Sequence, residues 1–354
     1  MAKVIVGMSG GVDSAVAAYL LQQEGHEVIG LTLRTWESQD GKENRCCEID
    51  DARSVAKKLG IPYHVHNCIS DFEREVTAPF VRDYLQGLTP NPCVICNRTV
   101  KWEKMLYMTH VLRADHVATG HYASVVLLDN GRYTVQRSSC EGKDQTYMLY
   151  RLTQEQLKAT MMPLGKMQKD EVRKIAADLG LPVAQKKDSQ EICFVPDGSY
   201  ADYITENAAG PLPGEGLFVD EDGNALGKHK GIIHYTVGQR KGLGLALGYP
   251  AYVKQICTDT NTVVIGQEES LYRDTIVCRD MNYLSIPGVS DGEELICKAK
   301  IRYHHEAQKA RVTKNGPDTV RIVFEEPVRA AAPGQSAVLY DENECVIGGG
   351  IIAP

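Results

Sequence analysis

The first 203 residues alternate short apolar runs with amphipathic helical patterns. Residues 3–6, KVIV, form a β-branched run typical of a buried strand. The loop GMSGGVDS follows at once, and AVAAYLLQQEG then repeats its apolar residues at helical spacing. Gly25 ends this helix, and HEVIGLTLR forms the next strand pattern. The pattern predicts a βαβ unit of a doubly wound parallel sheet, and therefore an α/β fold.

The pattern changes after Tyr203. The Pro/Gly-rich stretch ENAAGPLPGEG indicates a linker, and the short strands AYVKQICT and TVVIG then predict a small central domain. From TIVCRDMNYL onward, regular short strands with turn signals such as Asn315-Gly316 predict a closed or nearly closed β-barrel. We therefore predict three domains, with the bounds 1–205, 206–272 and 273–354.

Composition indicates a folded, multidomain protein. The 354 residues are 43% hydrophobic and 24% charged. The beginning MAKVIVGMSGG lacks the features of a signal peptide, and no apolar run reaches membrane-spanning length, so we predict a cytoplasmic protein without membrane contact. In a reducing cytosol most of the eleven cysteines, Cys46 and Cys47 among them, are expected to be thiols that fill core space.

The charge distribution is uneven. A net charge of −7 does not favour a nonspecific nucleic-acid binder. Two segments are nevertheless basic: GKHKGIIHYTVGQRKG (227–242) and KIRYHHEAQKAR (300–311). Each is either a solvated strand face or turn, or a local nucleic-acid surface. We interpret the second as a basic strand that holds a phosphate backbone.

The loop GMSGGVDS has the composition of an anion site. Its glycines allow close backbone approach, and the N–H groups at the following helix start favour an anion such as phosphate. Ser9 and Ser14 supply hydroxyl donors, and Asp13 is placed to act on a magnesium ion or to orient the loop. The loop lacks the GK[ST] ending of a Walker loop, so kinase or GTPase chemistry is not expected.

Cysteines in two segments suggest further chemistry. TPNPCVICNRTVKW (89–102) places Cys93 and Cys96 three residues apart in a Pro/Asn-rich loop. Cys193 lies in the apolar patch ICFV of KKDSQEICFVPDG, where it is either a buried small hydrophobe or a reactive thiol. A thiolate needs nearby cations or a helix start, and Lys186 and Lys187 are candidates to supply that field for Cys193.

The string SGGVDS after an apolar strand resembles the loop of the PP-loop ATP pyrophosphatases, whose fold is adenine nucleotide alpha hydrolase-like. These enzymes cleave ATP to AMP and pyrophosphate and adenylate an oxygen of their substrate. Further sequence motifs indicate one family within this class. They are NPCVICNRTVKW, ATGHYA, GKDQTYML, KDSQEICFVPDGSY, GIIHYTVGQRKGLG, KIRYHH and PGQSAVLYDENECVIGGGII. In this order, and over nearly the whole chain, they are similar to the tRNA-specific 2-thiouridylases, the MnmA/TrmU family.

The resemblance implies the site residues. The implied ATP-binding set is Gly7, Met8, Ser9, Gly10, Gly11, Val12, Asp13 and Ser14, with Leu33 and Gly120. The implied contacts to tRNA are Asn91, Pro92 and Cys93 around a flipped base, with His121, Lys143, Asp144, Gln145, Arg302, Tyr303 and Gln335. Cys96 matches the nucleophile of the family, and Cys193 matches its persulfide-carrying cysteine.

The resemblance also implies the reaction and its partners. ATP with Mg²⁺ adenylates the 2-oxygen of the wobble uridine, position 34, of tRNA, and Asp13 and the loop hold pyrophosphate. A persulfide on Cys193, delivered by a sulfur-relay protein or cysteine desulfurase, attacks the 2-carbon, and Cys96 resolves the sulfur–sulfur link. The tRNAs implied are the glutamate, glutamine and lysine acceptors.

Position 93 departs from the family pattern, which usually has aspartate there. Either Cys93 is a bystander in a persulfide enzyme, or Cys93, Cys96 and Cys193 are ligands of a 4Fe-4S cluster with one open iron. A third alternative is a structural zinc site in which His121 is the fourth ligand. A fourth is a disulfide between Cys93 and Cys96. Two other functions also stay open: an amidating or small-molecule thiolating PP-loop enzyme, and a noncatalytic metal-dependent RNA-binding protein.

Overall fold

The amino-terminal part of the chain folds around a parallel β-sheet. The computed structural model describes residues 1–37, 49–186, 188, 192–195 and 199–354. The strands of this part are β1 (Lys3–Gly7), β2 (Glu27–Arg34), β3 (Tyr63–Asn67), β4 (His116–Ala118), β5 (Ala123–Leu127), β6 (Tyr133–Arg137) and β7 (Thr160–Met161). The parallel sheet has the order β3-β2-β1-β4-β7, while β5 and β6 form an antiparallel pair beside it.

Helices cover both faces of the parallel sheet. They are α1 (Val12–Gln23), α2 (Ile49–Leu59), α3 (Ile69–Phe72), α4 (Ala78–Leu85), α5 (Pro92–Cys96), α6 (Glu103–Leu112), α7 (Gln154–Lys158), α8 (Lys169–Asp178) and α9 (Tyr200–Asn207). Successive residues of a strand point to opposite faces, so Val4 and Val6 of β1 pack with α1, α2 and α8, whereas Ile5 packs in a second cluster with α6. The doubly wound α/β fold predicted from the sequence is confirmed.

Two of the helical connections contain π-helical turns. Glu73–Thr77 joins α3 to α4, and Asn97–Trp102 joins α5 to α6, so that each pair forms a continuous helix. A π-helical turn widens the helix locally and is frequent at functional sites. The second of these turns begins directly after Cys96.

The central part of the chain is a small mixed sheet. Its strands are β8 (Gly216–Val219), β9 (Ala225–His229), β10 (Tyr252–Cys257) and β11 (Thr262–Gly266), in the order β10-β11-β8-β9. Phe218, Val253 and Val263 from this sheet share one buried cluster with Phe72 and Phe80 of the helices before α5. The central sheet therefore packs directly on the helices that precede the cysteine segment.

The carboxyl-terminal part is a closed barrel. Its strands are β12 (Tyr272–Tyr283), β13 (Glu294–Lys300), β14 (Gln308–Lys314), β15 (Thr319–Arg329), β16 (Ser336–Tyr340) and β17 (Val346–Ile352). The barrel closes in the order β12-β15-β14-β13-β16-β17. The predicted basic strand over 300–311 is wrong: β13 ends at Lys300, and the chain reverses so that Ala299 pairs with Gln308 of β14. The residues between them form a loop.

The barrel is docked against the parallel-sheet unit. Leu284, Val338 and Val346 belong to the same buried cluster as Ile5 of β1. Thr134 Oγ1 donates a hydrogen bond of 2.6 Å to the Val346 carbonyl across this junction. The apolar cluster and this buried bond hold the barrel against the parallel-sheet unit. Within the described ranges, no helix is long and apolar enough to cross a bilayer.

Candidate active site at the carboxyl edge of the parallel sheet

The predicted ATP loop connects β1 to α1. Met8 is held to β2 on both sides, because its N–H donates to the Leu31 carbonyl at 2.8 Å and its carbonyl accepts from Thr32 Oγ1 at 2.7 Å. Gly10 has a φ of 75°, in the left-handed region that glycine adopts without strain. Ser14 Oγ donates to the Gly11 carbonyl at 3.1 Å, so this hydroxyl closes the loop on itself.

The other predicted ATP residues lie beside this loop. Leu33 is near the carboxyl end of β2 and Gly120 follows β4, the two strands that pair with β1. The carboxyl ends of adjacent parallel strands form the usual ligand crevice of open α/β sheets. Gly120 also touches the start of α1: a Cβ at this position would lie 2.6 Å from the Asp13 carbonyl carbon and 2.7 Å from the Ser14 nitrogen.

Gly120→Ala is expected to raise the KM for ATP by about tenfold to a hundredfold, because the added Cβ displaces the start of α1 and misplaces the loop N–H groups. The measurement is initial-rate kinetics of ATP cleavage. Gly210→Ala is the matched control, since a Cβ there meets no atom within 4 Å. An unchanged KM for ATP in the Gly120 variant would mean that the nucleotide does not use this loop.

Asp13 lies in the first turn of α1 and is held by two side chains. Lys169 Nζ, only 11% exposed, contacts the two Asp13 carboxylate oxygens at 2.7 and 2.8 Å. The Tyr122 hydroxyl donates to Asp13 Oδ1 at 2.9 Å. Burial, and then the charge of Asp13, raise the pKa of Tyr122, so this hydroxyl keeps its proton and acts as a donor. The carboxylate is thus fixed in orientation at the mouth of the loop.

A second carboxylate, Asp188, adjoins this group. It accepts from Lys143 at 2.7 Å, Lys169 at 2.9 Å and Arg173 at 3.1 Å. Burial alone raises the pKa of Asp188, but the hydrogen bonds from Lys143 and Lys169 outweigh it and lower the pKa below its usual range. Three cations around one carboxylate therefore keep Asp188 ionised.

Lys169, Tyr122 and Asp188 are not among the site residues predicted from the sequence. One signal was available: Lys169 is the first residue of α8, where a cation opposes the helix dipole and is unfavourable unless an anion compensates it. Lys186, predicted to supply a field for Cys193, donates from Nζ to the Gly10 carbonyl at 3.2 Å and to Asp51 at 2.6 Å. It therefore adds positive charge beside the ATP loop. Lys187, Cys46 and Cys47 lie outside the described residues.

The segment that contains Cys93 and Cys96 is helical, so the prediction of a loop was wrong. Asn91 caps α5, because its Oδ1 accepts from the Cys93 N–H at 3.2 Å, and Pro92 occupies the first helical position. Asn followed by Pro is a common helix start, so the sequence contains a local signal for this helix. Asn91 Nδ2 also lies 3.5 Å from Met148 Sδ.

Cys96 and Cys193 belong to one apolar cluster. Cys96 is 6% exposed, and Cys193 is half-buried at the margin of the same cluster. Phe194 fixes this margin through edge-to-face contacts with Phe72 and Phe80, with ring centroids 5.7 and 5.2 Å apart. In the part of the chain that the structure describes, no three His, Cys, Asp or Glu side chains converge closely enough to hold a metal ion.

The residues predicted to contact tRNA from the 121–145 region mostly have internal partners. His121 Nδ1 is 2.9 Å from Thr119 Oγ1, and burial lowers the pKa of His121 to about 3, so the ring is neutral. Asp144 is buried and accepts from the Thr146 hydroxyl at 3.0 and 2.9 Å. Gln145 accepts from the Tyr122 N–H at 2.9 Å and donates its own N–H to the Tyr122 carbonyl at 3.0 Å.

The predicted tRNA contacts from the barrel are divided between two places. The ring of Tyr303 lies 6.2 Å from that of Tyr147, and burial, followed by the charges of Asp144 and Cys93, raises the pKa of Tyr303. Gln335 Nε2 donates to the Thr89 carbonyl at 2.8 Å, next to the start of α5. Arg302, in contrast, donates from Nη2 to the carbonyls of Val237 and Ala330 at 3.0 and 2.6 Å, at the junction of the barrel with the central part.

The sheet order, the glycine-rich loop and its cationic surroundings define a nucleotide-binding protein of the PP-loop ATP pyrophosphatase class. Family models match successive parts of the chain: the tRNA methyl transferase HUP domain over residues 2–197, the tRNA methyl transferase PRC-barrel domain over 206–267 and the aminomethyltransferase beta-barrel domain over 262–352. The tRNA-specific 2-thiouridylase MnmA of Lachnoclostridium phytofermentans is 51% identical over 359 residues, and that of Acetivibrio thermocellus is 51% identical over 358 residues. Both alignments cover 99% of this chain and 99% of the relative.

The chain belongs to the tRNA-specific 2-thiouridylase family. Among solved structures, the U34-tRNA thiolase NcsA from Methanococcus maripaludis, solved with its [4Fe-4S] cluster, is 22% identical, with a TM-score of 0.35. That similarity covers 59% of this chain and 67% of the other, and it is too weak to carry an argument about the cofactor of this chain.

Proposed function

We propose that this protein is a tRNA-uridine 2-sulfurtransferase. It uses ATP to adenylate the 2-oxygen of the wobble uridine, position 34, and replaces that oxygen with sulfur, giving 2-thiouridine, AMP and pyrophosphate. The observation that carries the proposal is the position of the segment 145–148. Gln145 contacts Tyr122 beside the ATP loop, and Met148 contacts Asn91 and Asn97 on either side of Cys96. The activating half and the sulfur half of the site thus adjoin one short segment.

The ATP half of the site uses the loop Gly7–Ser14 with Leu33 and Gly120. The N–H groups at the start of α1 and the ammonium groups of Lys169 and Lys186 favour the phosphates. The residues fit a magnesium ion, because one carboxylate at the mouth of the loop, Asp13, together with the substrate phosphates is the ligand set that Mg²⁺ prefers. Bound there, Mg²⁺ would neutralise charge on the pyrophosphate leaving group.

The sulfur half uses Cys193 and Cys96. The terminal sulfur of a Cys193 persulfide attacks the 2-carbon, forms the carbon–sulfur bond and expels AMP. The Cys96 thiolate then attacks the Cys193 sulfur, so the bond to the transferred sulfur breaks and leaves thiouridine and a Cys96–Cys193 disulfide, which an external thiol reduces. The apolar cluster around both cysteines excludes water, which would otherwise hydrolyse the adenylated base.

The residues present do not fit a 4Fe-4S cluster as they stand. A cluster needs its thiolates gathered around one centre, and the described residues form no such group. Cys93 and Cys96 lie one turn apart on α5. Burial, and then the charges of Asp144 and Cys93, raise the pKa of Tyr303, so Cys93 is near Tyr303, while Cys96 belongs to the cluster that contains Phe72 and Phe80. We therefore propose the persulfide route, with Cys93 as a residue that contacts the target base together with Asn91 and Pro92.

The predicted tRNA contacts are proposed to play different roles. Lys143 and Tyr303 face the RNA, whereas Asp144, Gln145, Gln335 and the neutral His121, which contacts Thr119, hold the segments that carry them. Arg302 links the barrel to the central part. The division into domains 1–205, 206–272 and 273–354 remains a prediction, as do the cytoplasmic location, the sulfur-relay protein and the choice of glutamate, glutamine and lysine tRNAs.

The experiment is thiolation of a tRNA transcript by anaerobically purified protein, with ATP, Mg²⁺ and a persulfide donor. We expect one AMP for each thiouridine, activity without bound iron, and no product when the wobble uridine is replaced by cytidine. If activity disappears when iron and acid-labile sulfide are removed and returns on reconstitution, the cluster mechanism is correct and the persulfide route is wrong. ATP cleavage without any tRNA product would instead favour a small-molecule PP-loop enzyme.

A further inference from the structure

Asp188 lies between the ATP loop and the predicted RNA-contacting segment 143–145. Its carboxylate has 22% exposure and accepts from Lys143 and Lys169 on its two oxygens, at 2.7 and 2.9 Å. Arg173, on the same helix as Lys169, adds a third contact at 3.1 Å. Asp188 therefore joins a lysine of the RNA side to a lysine of the ATP side.

Lys169 extends this link to the ATP loop. The ammonium that contacts Asp188 also contacts both oxygens of Asp13, at 2.7 and 2.8 Å. Two carboxylates thus compete for one ammonium, which is 11% exposed and has little water to take the place of either partner. Any change that strengthens the hold of Asp188 on Lys169 weakens the hold of Lys169 on Asp13.

The segment 143–145 contacts the loop at its other end as well. Gln145 makes a pair of hydrogen bonds to the backbone of Tyr122, whose hydroxyl donates to Asp13 at 2.9 Å. Between the two ends, the buried Asp144 accepts from Thr146 and fixes the segment in place. Lys143, with 34% exposure, and Arg173, with 35%, are the most exposed cations of this connected group, and of these two Lys143 lies in the segment predicted to contact RNA.

We propose that Asp188 is a positioning residue that couples RNA binding to ATP binding through Lys143 and Lys169. An RNA phosphate that draws Lys143 away leaves Asp188 with one partner fewer, so Asp188 holds Lys169 more strongly and releases Asp13 to serve the magnesium nucleotide. RNA therefore increases the affinity for ATP, and by linkage ATP increases the affinity for RNA to the same extent. This inference rests on the proposed function, because it takes tRNA as the ligand of the segment 143–145.

The test measures binding of α,β-methylene-ATP with Mg²⁺ by calorimetry, with and without a saturating tRNA transcript that carries a wobble uridine. In the unaltered protein we expect RNA to lower the Kd of the analogue by about tenfold, a usual size for coupling between sites. Asp188→Asn is expected to reduce this effect to less than about twofold. Asp170→Asn, at an exposed carboxylate in the first turn of the same helix, is the matched control and should keep the tenfold effect.

Lys143→Gln provides a second variant, which removes the Lys143 contact to Asp188 but keeps the Asp188 side chain, its contacts to Lys169 and Arg173, and the buried contacts of Asp144. Because RNA is kept at saturation, a weaker RNA contact does not mask the result, and this variant should also lose the coupling. Equal RNA effects in the unaltered protein and in Asp188→Asn, or no RNA effect in either, would overturn the inference. The analogue is not cleaved between its α- and β-phosphates, so failure of the thiolation assay would refute the proposed function without changing this binding result.

Discussion

Cys96→Ser is expected to lower tRNA thiolation by at least about a thousandfold and to trap the RNA on the protein. A serine hydroxyl is far less acidic and nucleophilic than a thiol, so the adduct between the 2-carbon and the Cys193 persulfide forms but is not resolved. AMP should still be released once per protein, because its release precedes the missing step. The measurement is a single-turnover reaction without added thiol, in which AMP and the protein–RNA adduct are followed together.

Two controls separate this chemistry from damage to the core. Cys68 is fully buried in the same cluster as Cys96, and Cys68→Ser introduces the same hydroxyl there, so it should keep turnover and form no adduct. Cys193→Ser should lose thiolation without forming an adduct. Adding a dithiol reagent to the trapped adduct of Cys96→Ser should cleave its sulfur–sulfur bond and release RNA that contains thiouridine. Release of free thiouridine-containing tRNA by Cys96→Ser in this single turnover without added thiol would remove Cys96 from the mechanism.

Asp13→Asn is expected to lower kcat/KM for ATP cleavage by about a hundredfold or more. The amide keeps the size of the side chain but removes the charge that Lys169 and Tyr122 orient at the mouth of the loop. The measurement is the rate of pyrophosphate release at varied Mg²⁺ concentration. The variant should need a higher Mg²⁺ concentration than the unaltered protein to reach its half-maximal rate. Persulfide formation on Cys193 should be unaffected, because that step uses no nucleotide.

Asp50→Asn is the matched control for this variant. Asp50 is in the first turn of α2, as Asp13 is in the first turn of α1, but it is exposed and pairs with Arg53. An exposed pair of this kind contributes little, so ATP cleavage should be unchanged. A loss of the same size in both variants would mean that removing a carboxylate from a helix start, rather than the position of Asp13, lowers the rate.

Local signals account for what the sequence predicted well. The strand Lys3–Gly7, the loop after it and helix α1 are adjacent in the chain, so periodicity and glycine positions were enough to predict them. The barrel was predicted because its strands are short, regularly spaced and separated by turn residues. Two local predictions were wrong: residues 300–311 are not one strand, because β13 ends at Lys300, and residues 91–96 are not a loop, because Asn91 and Pro92 begin a helix.

Contacts between distant residues account for what the sequence did not predict. Lys169 is 156 positions from Asp13, and Asp188 is 45 positions from Lys143, so no local pattern indicates that they meet. The resemblance implied an RNA contact for Arg302, and no local pattern indicated that its guanidinium also donates to the carbonyls of Val237 and Ala330. The partners of a charged side chain depend on which surfaces pack around it.

The sequence by itself determined the α/β and barrel architecture, the loop Gly7–Ser14 and the resemblance that pointed to Cys96 and Cys193, because these depend on residues close together in the chain or on their order. Only the tertiary structure decided how Asp13 is held, how segment 143–145 reaches it through Asp188 and Tyr122, and that Cys96 and Cys193 enter one apolar cluster. The physical reason is that a carboxylate or thiol acquires its reactivity from neighbours within a few ångströms, and the packing of separate elements chooses those neighbours.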